Sequence, residues 1–399
     1  MKNVVIFTTM ILTSSFASAG DWPQFRGPSG TGVADEKNLP TTWSATENVR
    51  WKAEIPGRSV SSPVVSAGRV YAASASGVNC EKLHVVCFDA KDGKQLWQRE
   101  IKATGNTGCH PKSSMAAPTP VANADGVFVL FATADLVAFD KDGNLKWYRS
   151  LAGDYPKIAN QVGMASSPIL WNDVLVVPMD SDGESFLAGL DAKHGRNLWK
   201  IERPKDINWV TPALRQVGAK TELLFQGRLG LTAYEPASGK KIWNHATESM
   251  TVPMPVVMDD QVLMMGRGVV CLKPMGDSSP EVVWTSQKLS SGYSTPLVYK
   301  EHIYNVSGAG VLTCTDKMGK EIWQERLKKG KYWASAIAAD GKIFVCNDEG
   351  ICSILQAGGE KPEVLATNDV KEEIMGTPAI ANGTIYIQTV KRLYCIGKK

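Results

Sequence analysis

The sequence predicts an all-β fold, an eight-bladed β-propeller whose ring is closed by an N-terminal strand, and three observations predict it. A phrase made of a small residue, a proline and an apolar run recurs eight times. A second phrase, a glycine turn followed by tryptophan, trails most of the copies. A strand-like segment near the N-terminus carries the same tryptophan but has no repeat unit before it. Fixed internal periods of this length mark repeat architectures and override the two or three domains that length alone suggests.

The first phrase reads Ser62-Pro63-Val64, Thr119-Pro120-Val121, Ser167-Pro168-Ile169, Thr211-Pro212-Ala213, Met254-Pro255-Val256, Thr295-Pro296-Leu297 and Thr377-Pro378-Ala379. Ser335-Ala336-Ile337 is the same phrase without its proline. Most steps are 40 to 48 residues and the first is 57. The second phrase places Gly93, Gly143, Gly195, Gly239 and Gly319 four residues before Trp97, Trp147, Trp199, Trp243 and Trp323. Trp284 follows a longer turn, and Leu365 stands for Trp in the seventh copy. Glycine supplies the positive φ of a tight hairpin, and a flat indole suits the seam between two sheets.

Each unit holds four short strand-like runs. In the third they are Pro168–Trp171, Val174–Pro178, Phe186–Leu190 and Asn197–Ile201, separated by Asn-Asp, Ser-Asp-Gly and His-Gly turns. One four-stranded sheet cannot bury both faces, whereas sheets stacked face to face around an axis can. The eighth unit ends before its fourth run, and strand 47–55, with Trp51, supplies it.

The repeat resembles the pyrroloquinoline quinone (PQQ)-like repeat on the strength of Ala90-x-x-Gly93…Trp97, Ala192-x-x-Gly195…Trp199 and Ala237-Ser238-Gly239…Trp243. The resemblance spans 47–397, and the opening Asp21-Trp22-Pro23-x-Phe25 is similar to the start of many exported proteins with this repeat. It implies two branches. Quinoprotein alcohol dehydrogenases use PQQ, calcium, a catalytic Asp and a disulfide between adjacent cysteines. The scaffold branch includes BamB, the periplasmic propeller of the outer-membrane β-barrel assembly machine. This sequence has no adjacent cysteine pair and no recognisable set of PQQ or calcium ligands, so no catalytic residue carries over. The expectation is a non-enzymatic, BamB-like monomer with no cofactor and no metal. It would bind an unknown cell-envelope protein or another extended ligand. The alternatives are a PQQ- and calcium-dependent oxidoreductase and a carbohydrate-binding or hydrolytic propeller.

Residues 1–19 read as a cleaved signal peptide: Lys2, an apolar core from Val4 to Leu12, and an Ala17-Ser18-Ala19 cleavage site. That predicts a periplasmic or secreted protein. No cysteine follows the cut, so no lipid anchor is expected, and no apolar run is long enough to span a bilayer. The formal charge of +4 falls by one with Lys2, and no basic run or face stands out, which argues against nucleic acid as a partner. Residues 20–46 form an extended strap before the propeller, 47–399. Trp22, Phe25 and Arg26 are expected to anchor the strap as a latch on the outer edge of the closing blade.

Chain direction puts the connections between units, and those between second and third strands, on one face. The inter-unit connections are long: 102–117, 152–166, 202–210, 246–252, 287–293, 328–334 and 368–376. Three residues before each proline position stand Val60, Ala117, Ala165, Trp209, Val252, Tyr293, Trp333 and Met375. Arg58, Met115, Met164, Met250 and Tyr332 lie nearby in sequence. Together they predict an aromatic and apolar funnel over the axis, able to bind a ligand or simply to fill the channel. Cys80 and Cys109 fall on this face and are the best disulfide candidates. Cys346 and Cys352 can face each other, but free thiols are the expectation there. Cys87, Cys271, Cys314 and Cys395 occupy a slot that elsewhere takes Ala or Gly and read as buried thiols. His110 with Ser113 or Ser114 lacks an acid to complete a nucleophilic triad, and Glu372-Glu373 reads as a solvated face or a weak cation site.

Overall fold

The computed structural model describes residues 20–160 and 162–398; the expected signal peptide lies outside the described residues. Eight four-stranded antiparallel sheets follow one another along the chain. Blade 1 comprises Val64–Ser66, Arg69–Ser76, Lys82–Asp89 and Gln95–Lys102, innermost strand first. The innermost strands of blades 2 to 8 are Val121–Asn123, Ile169–Trp171, Ala213–Val217, Val256–Met258, Leu297–Tyr299, Ile337–Ala339 and Ala379–Ala381. The outermost strand of blade 8 is Val49–Glu54, paired with Arg392–Ile396 in the register Trp51↔Cys395, so the ring closes as the repeat predicts.

The glycine–tryptophan phrase is a joint between blades. Each tryptophan lies over the glycine turn of the next blade and donates its indole N–H to a carbonyl there: Trp51 to Ala90 O (3.1 Å), Trp97 to Lys141 O (2.9 Å), Trp147 to Ala192 O (2.9 Å) and Trp199 to Pro236 O (3.0 Å). Trp284 does the same with Lys317 O (3.0 Å). A Cβ on Gly93 would stand 2.5 Å from the Trp51 ring, so this turn needs glycine for the neighbour's indole as well as for its φ of 74°. Trp243 of blade 4 is the exception: it faces the longer turn of blade 5 and donates instead to Glu222 Oε1 (3.2 Å) in its own blade. The residue paired with each of these indoles is small: Cys87, Ala138, Gly189, Ala233, Cys271, Cys314 and Cys395. Burial pushes all four thiols up to about 12, as expected of inert filling.

The small residue of the first phrase has a second reason as well. Its hydroxyl accepts the backbone N–H of the equivalent residue one blade back: Thr119 from Ser62 (3.1 Å), Ser167 from Thr119 (2.9 Å), Thr211 from Ser167 (3.1 Å). Thr295 accepts from Met254 (3.1 Å), Ser335 from Thr295 (2.9 Å) and Thr377 from Ser335 (3.0 Å). These bonds form a belt around the channel that satisfies amides no strand can reach. It is interrupted at Met254, which has no hydroxyl and lies within 3.4 Å of the Cβ position of Gly30 in the strap, and again between blades 8 and 1, where the buried Ser62 hydroxyl has no hydrogen-bond partner among the described residues.

The strap corrects the latch expectation. It does not stop at the outer edge of blade 8 but enters the channel from the hairpin face. Trp22 is fully buried and exchanges backbone hydrogen bonds of 2.8 Å with Val65 of blade 1. Pro23 O accepts from Ala122 of blade 2 (2.8 Å), and Phe25 packs against the core shared by blades 3 to 5. The Arg26 guanidinium donates to Thr295 O (3.3 Å), Pro296 O (2.9 Å) and Ala336 O (3.3 Å) across the axis. Gly32 and Ala34 then pair with Ala338 of blade 7, and Glu36 accepts the amides of Asn382 (3.0 Å) and Gly383 (2.8 Å) in blade 8. Only from there does the chain run outward, with Trp43 on Asn368, to become the closing strand. The physical reason is the row of unpaired carbonyls at the inner ends of blades 6 and 7, which a buried guanidinium with several donors satisfies.

Candidate functional site

The innermost strands begin at the long-loop face, and the residues just ahead of them converge on the axis. All eight predicted ring positions stand two residues before the first residue of the small-residue–proline phrase, so they recur once per blade around the channel. All eight, Val60, Ala117, Ala165, Trp209, Val252, Tyr293, Trp333 and Met375, line one cavity of about 380 Å³. His110, Lys112, Ser113 and Val162 complete its wall. Tyr293 and Trp333 stack with ring centres 3.9 Å apart and planes 17° apart. Tyr293 is 41% exposed, whereas the Trp333 indole nitrogen is buried without a protein partner. Trp209 is held on the other side by its indole N–H to Gly163 O (2.8 Å).

The remaining candidates lie elsewhere. Met115 and Met164 are buried in the core of blades 1 to 3, and Met250 packs on the core of blade 5, so they do not face the funnel as a ring. Tyr332 is 1% exposed; its hydroxyl donates to Lys328 O (2.7 Å), and burial pushes its pKa up to about 12. Arg58 sits at the rim as an ion-pair partner. Met164 and Tyr332 are immediate neighbours of the wall residues Ala165 and Trp333, and the alternation of the chain turns them away from the channel. Met115 and Met250, two residues from the wall, are instead taken into the cores of blades 1 to 3 and blade 5.

The rim charges are engaged with one another. Glu373 accepts from Arg58 (3.1 Å) and Lys112 (2.8 Å), and Lys112 also reaches Asp348 (3.6 Å). Partial burial pushes the Glu373 carboxyl up, but the hydrogen bonds and charges of Lys112 and Arg58 outweigh it and hold the group below the ordinary glutamate value. Glu372 is hydrogen-bonded to Thr389 (2.6 Å) and Tyr394 (2.8 Å) and paired with Arg392. The acidic pair is therefore neither a solvated face nor a cation site. His110 Nδ1 accepts the Lys112 amide (3.1 Å), and among the described residues no hydrogen bond joins its ring to the Ser113 or Ser114 hydroxyl.

Two cysteine expectations change. Cys80 and Cys109 are separate thiols, close enough that the charge of one raises the pKa of the other beyond what burial does. The disulfide joins Cys346 and Cys352 instead. The reason is register: the two face each other directly across the second and third strands of blade 7, with Cα atoms 4.1 Å apart.

A PQQ group with calcium does not fit these residues. The quinone carries three carboxylates, and its metal needs a cluster of oxygen donors. The funnel wall is largely apolar and has no carboxylate in its lining, the nearby Glu373 and Asp348 are engaged by Lys112 and Arg58, and the described residues contain no group of three His, Cys, Asp or Glu arranged to hold a metal.

Among solved structures, BamB from Moraxella catarrhalis is similar at 16% identity with a TM-score of 0.63, over 86% of this chain and 95% of that one. The quinohemoprotein alcohol dehydrogenase from Comamonas testosteroni is similar at 10% identity and a TM-score of 0.71, over 97% and 82%. A europium-containing methanol dehydrogenase is similar at 11% identity and a TM-score of 0.70, over 94% and 91%. At these identities the likeness is one of fold and does not separate the two branches. No curated protein matches the sequence significantly. The family model described as the outer membrane protein assembly factor BamB matches residues 31–179 and 157–325, and the chain belongs to that family of PQQ-like-repeat propellers.

Proposed function

We propose that this protein is an exported, non-enzymatic scaffold that holds an extended segment of a cell-envelope protein over its long-loop face. One observation carries the reading: eight positions spaced around the ring converge on a single apolar cavity with a pre-stacked aromatic pair at its lip, the exposed Tyr293 on the half-buried Trp333. A concave apolar pocket with a few polar groups at its edge is the usual form of a binding site. At about 380 Å³ it admits side chains of a passing strand but not a folded domain. The strap closes the opposite end of the channel, so a ligand enters from this face alone. A glycan is served less well, because one face of Tyr293 is covered by Trp333 and the wall offers few hydrogen-bonding groups.

The test is photo-crosslinking in the native envelope, with benzoylphenylalanine in place of Tyr293 or, as a control on the hairpin side of blade 2, in place of the exposed Leu145. The expected result is one protein adduct from position 293 and none from 145. Adducts of the same pattern from both positions would contradict the reading. So would stoichiometric retention of added PQQ with dye-linked alcohol oxidation.

A further inference from the structure

Beside the funnel the end of the outermost strand of blade 6 and its connection to blade 7 read Arg326-Leu327-Lys328-Lys329-Gly330-Lys331 and lead directly into Tyr332 and Trp333. Arg326, Lys328, Lys329 and Lys331 are all exposed, and among the described residues none is within ion-pair distance of a carboxylate. This loop is a local exception to the even spread of charge along the chain. Its backbone is nonetheless fixed. Lys328 O accepts from the Tyr332 hydroxyl (2.7 Å), Lys329 O from Asn347 Nδ2 (2.9 Å), and Lys331 exchanges bonds with Asp348 through its N–H (2.8 Å) and C=O (2.9 Å). A Cβ on Gly330 would meet Asn347 at 2.4 Å, so the bend requires glycine. The nearest carboxylate, Asp348, is already engaged by that amide and by Lys112 (3.6 Å); Glu349 is the one exposed acid on the adjoining turn.

We infer that the extended segment bound at the funnel is acidic: an apolar side chain enters the cavity beside Tyr293 and Trp333, and carboxylates flanking it lie over Lys328, Lys329 and Lys331. This rests on the proposed scaffold reading and specifies its partner. Charge complementarity supports it. A rigid loop holding unneutralised cations in a fixed array loses little on meeting fixed carboxylates, and it steers their approach. Tyr332, buried and without contact to the cavity, becomes a positioning residue that holds the loop. A single-stranded nucleic acid is a poorer fit. The Tyr293–Trp333 faces already cover each other, the cationic array is one loop long, and Glu349 and the Glu373 cluster flank it.

The experiment titrates the purified full chain with three peptides sharing one aliphatic and aromatic core, flanked by Asp/Glu, by Ser or by Lys. An oligonucleotide serves as competitor. The acidic peptide is expected to bind about tenfold or more tighter than the Ser peptide, with an advantage that shrinks between about 0.05 and 0.3 M salt. The Lys328→Gln/Lys329→Gln/Lys331→Gln variant is expected to lose that advantage and keep the Ser peptide's affinity, which also reports that it is folded. Equal affinity for all three peptides overturns the charge inference and leaves the scaffold reading standing. No binding by any peptide overturns both. An oligonucleotide that outcompetes the acidic peptide at equal charge assigns the loop to nucleic acid and overturns the inference.

Discussion

A single Cβ separates the two roles that glycine has in this repeat. Gly68 and Gly93 share a φ of 74°, but nothing lies within 4 Å of a Cβ at Gly68, whereas one at Gly93 meets Trp51 at 2.5 Å. Gly68→Ala should therefore cost about 1 kcal/mol in urea unfolding, from backbone strain alone. Gly93→Ala should cost about 2 kcal/mol more, because the indole must shift and its hydrogen bond to Ala90 O is strained. Equal losses would mean that the joint tolerates the indole's movement. Glu373 gives a test in pH. Its folded value is depressed below the 4.5 of the free group, so the stability it contributes is complete above about 4.5 and is lost as the pH falls through the folded value. Glu373→Gln should lower the Tm at pH 7 and become indistinguishable from the parent in strong acid. The tryptophans, the small slot opposite them and the eight cavity positions were legible in the sequence because each recurs at one register. Met115, Met164, Met250 and Tyr332 were not separable from them. Proximity in sequence to a wall position says nothing about which side of the backbone a side chain takes.

The strap and the blade 7 hairpin show where single elements escape a reading by repeats. The entry of the strap from the hairpin face follows from chain direction. Its depth does not, because it depends on carbonyls of Thr295, Pro296 and Ala336, far away in sequence, that only the closed ring presents. Arg26 is fully buried with no carboxylate beside it, and burial lowers its guanidinium to about 9, so it stays charged at neutral pH. Arg26→Met removes every donor to those carbonyls and should cost about 3 kcal/mol or more, read as a fall in the urea midpoint. It should leave peptide affinity at the funnel unchanged. In blade 7, peptide mapping without reductant should find Cys346 joined to Cys352, with Cys80 and Cys109 alkylated as thiols. Reduction of so short a loop should lower stability by about 2 kcal/mol. A bridge between Cys80 and Cys109 would contradict the described arrangement of the long-loop face.

At the scale of the whole molecule, the hydroxyl belt, the tryptophan joints and the strap bind the blades to one another rather than each blade to itself. That rigidity is what lets eight separate loop ends define one cavity. The ring and its closing strand were legible because a repeat that starts at one terminus and finishes at the other has few ways to satisfy its edges. The cationic run 326–331 stands in the sequence, but its significance does not, since only the closed ring sets it beside a cavity and away from neutralising carboxylates. Hydrogen–deuterium exchange with and without the acidic peptide at saturation tests the central claim most directly, because it reads every loop of the ring at once. Protection confined to 287–293, 328–334 and 368–376 and their neighbours on that face is the predicted result. Protection on the hairpin turns or along the outermost strands would contradict it.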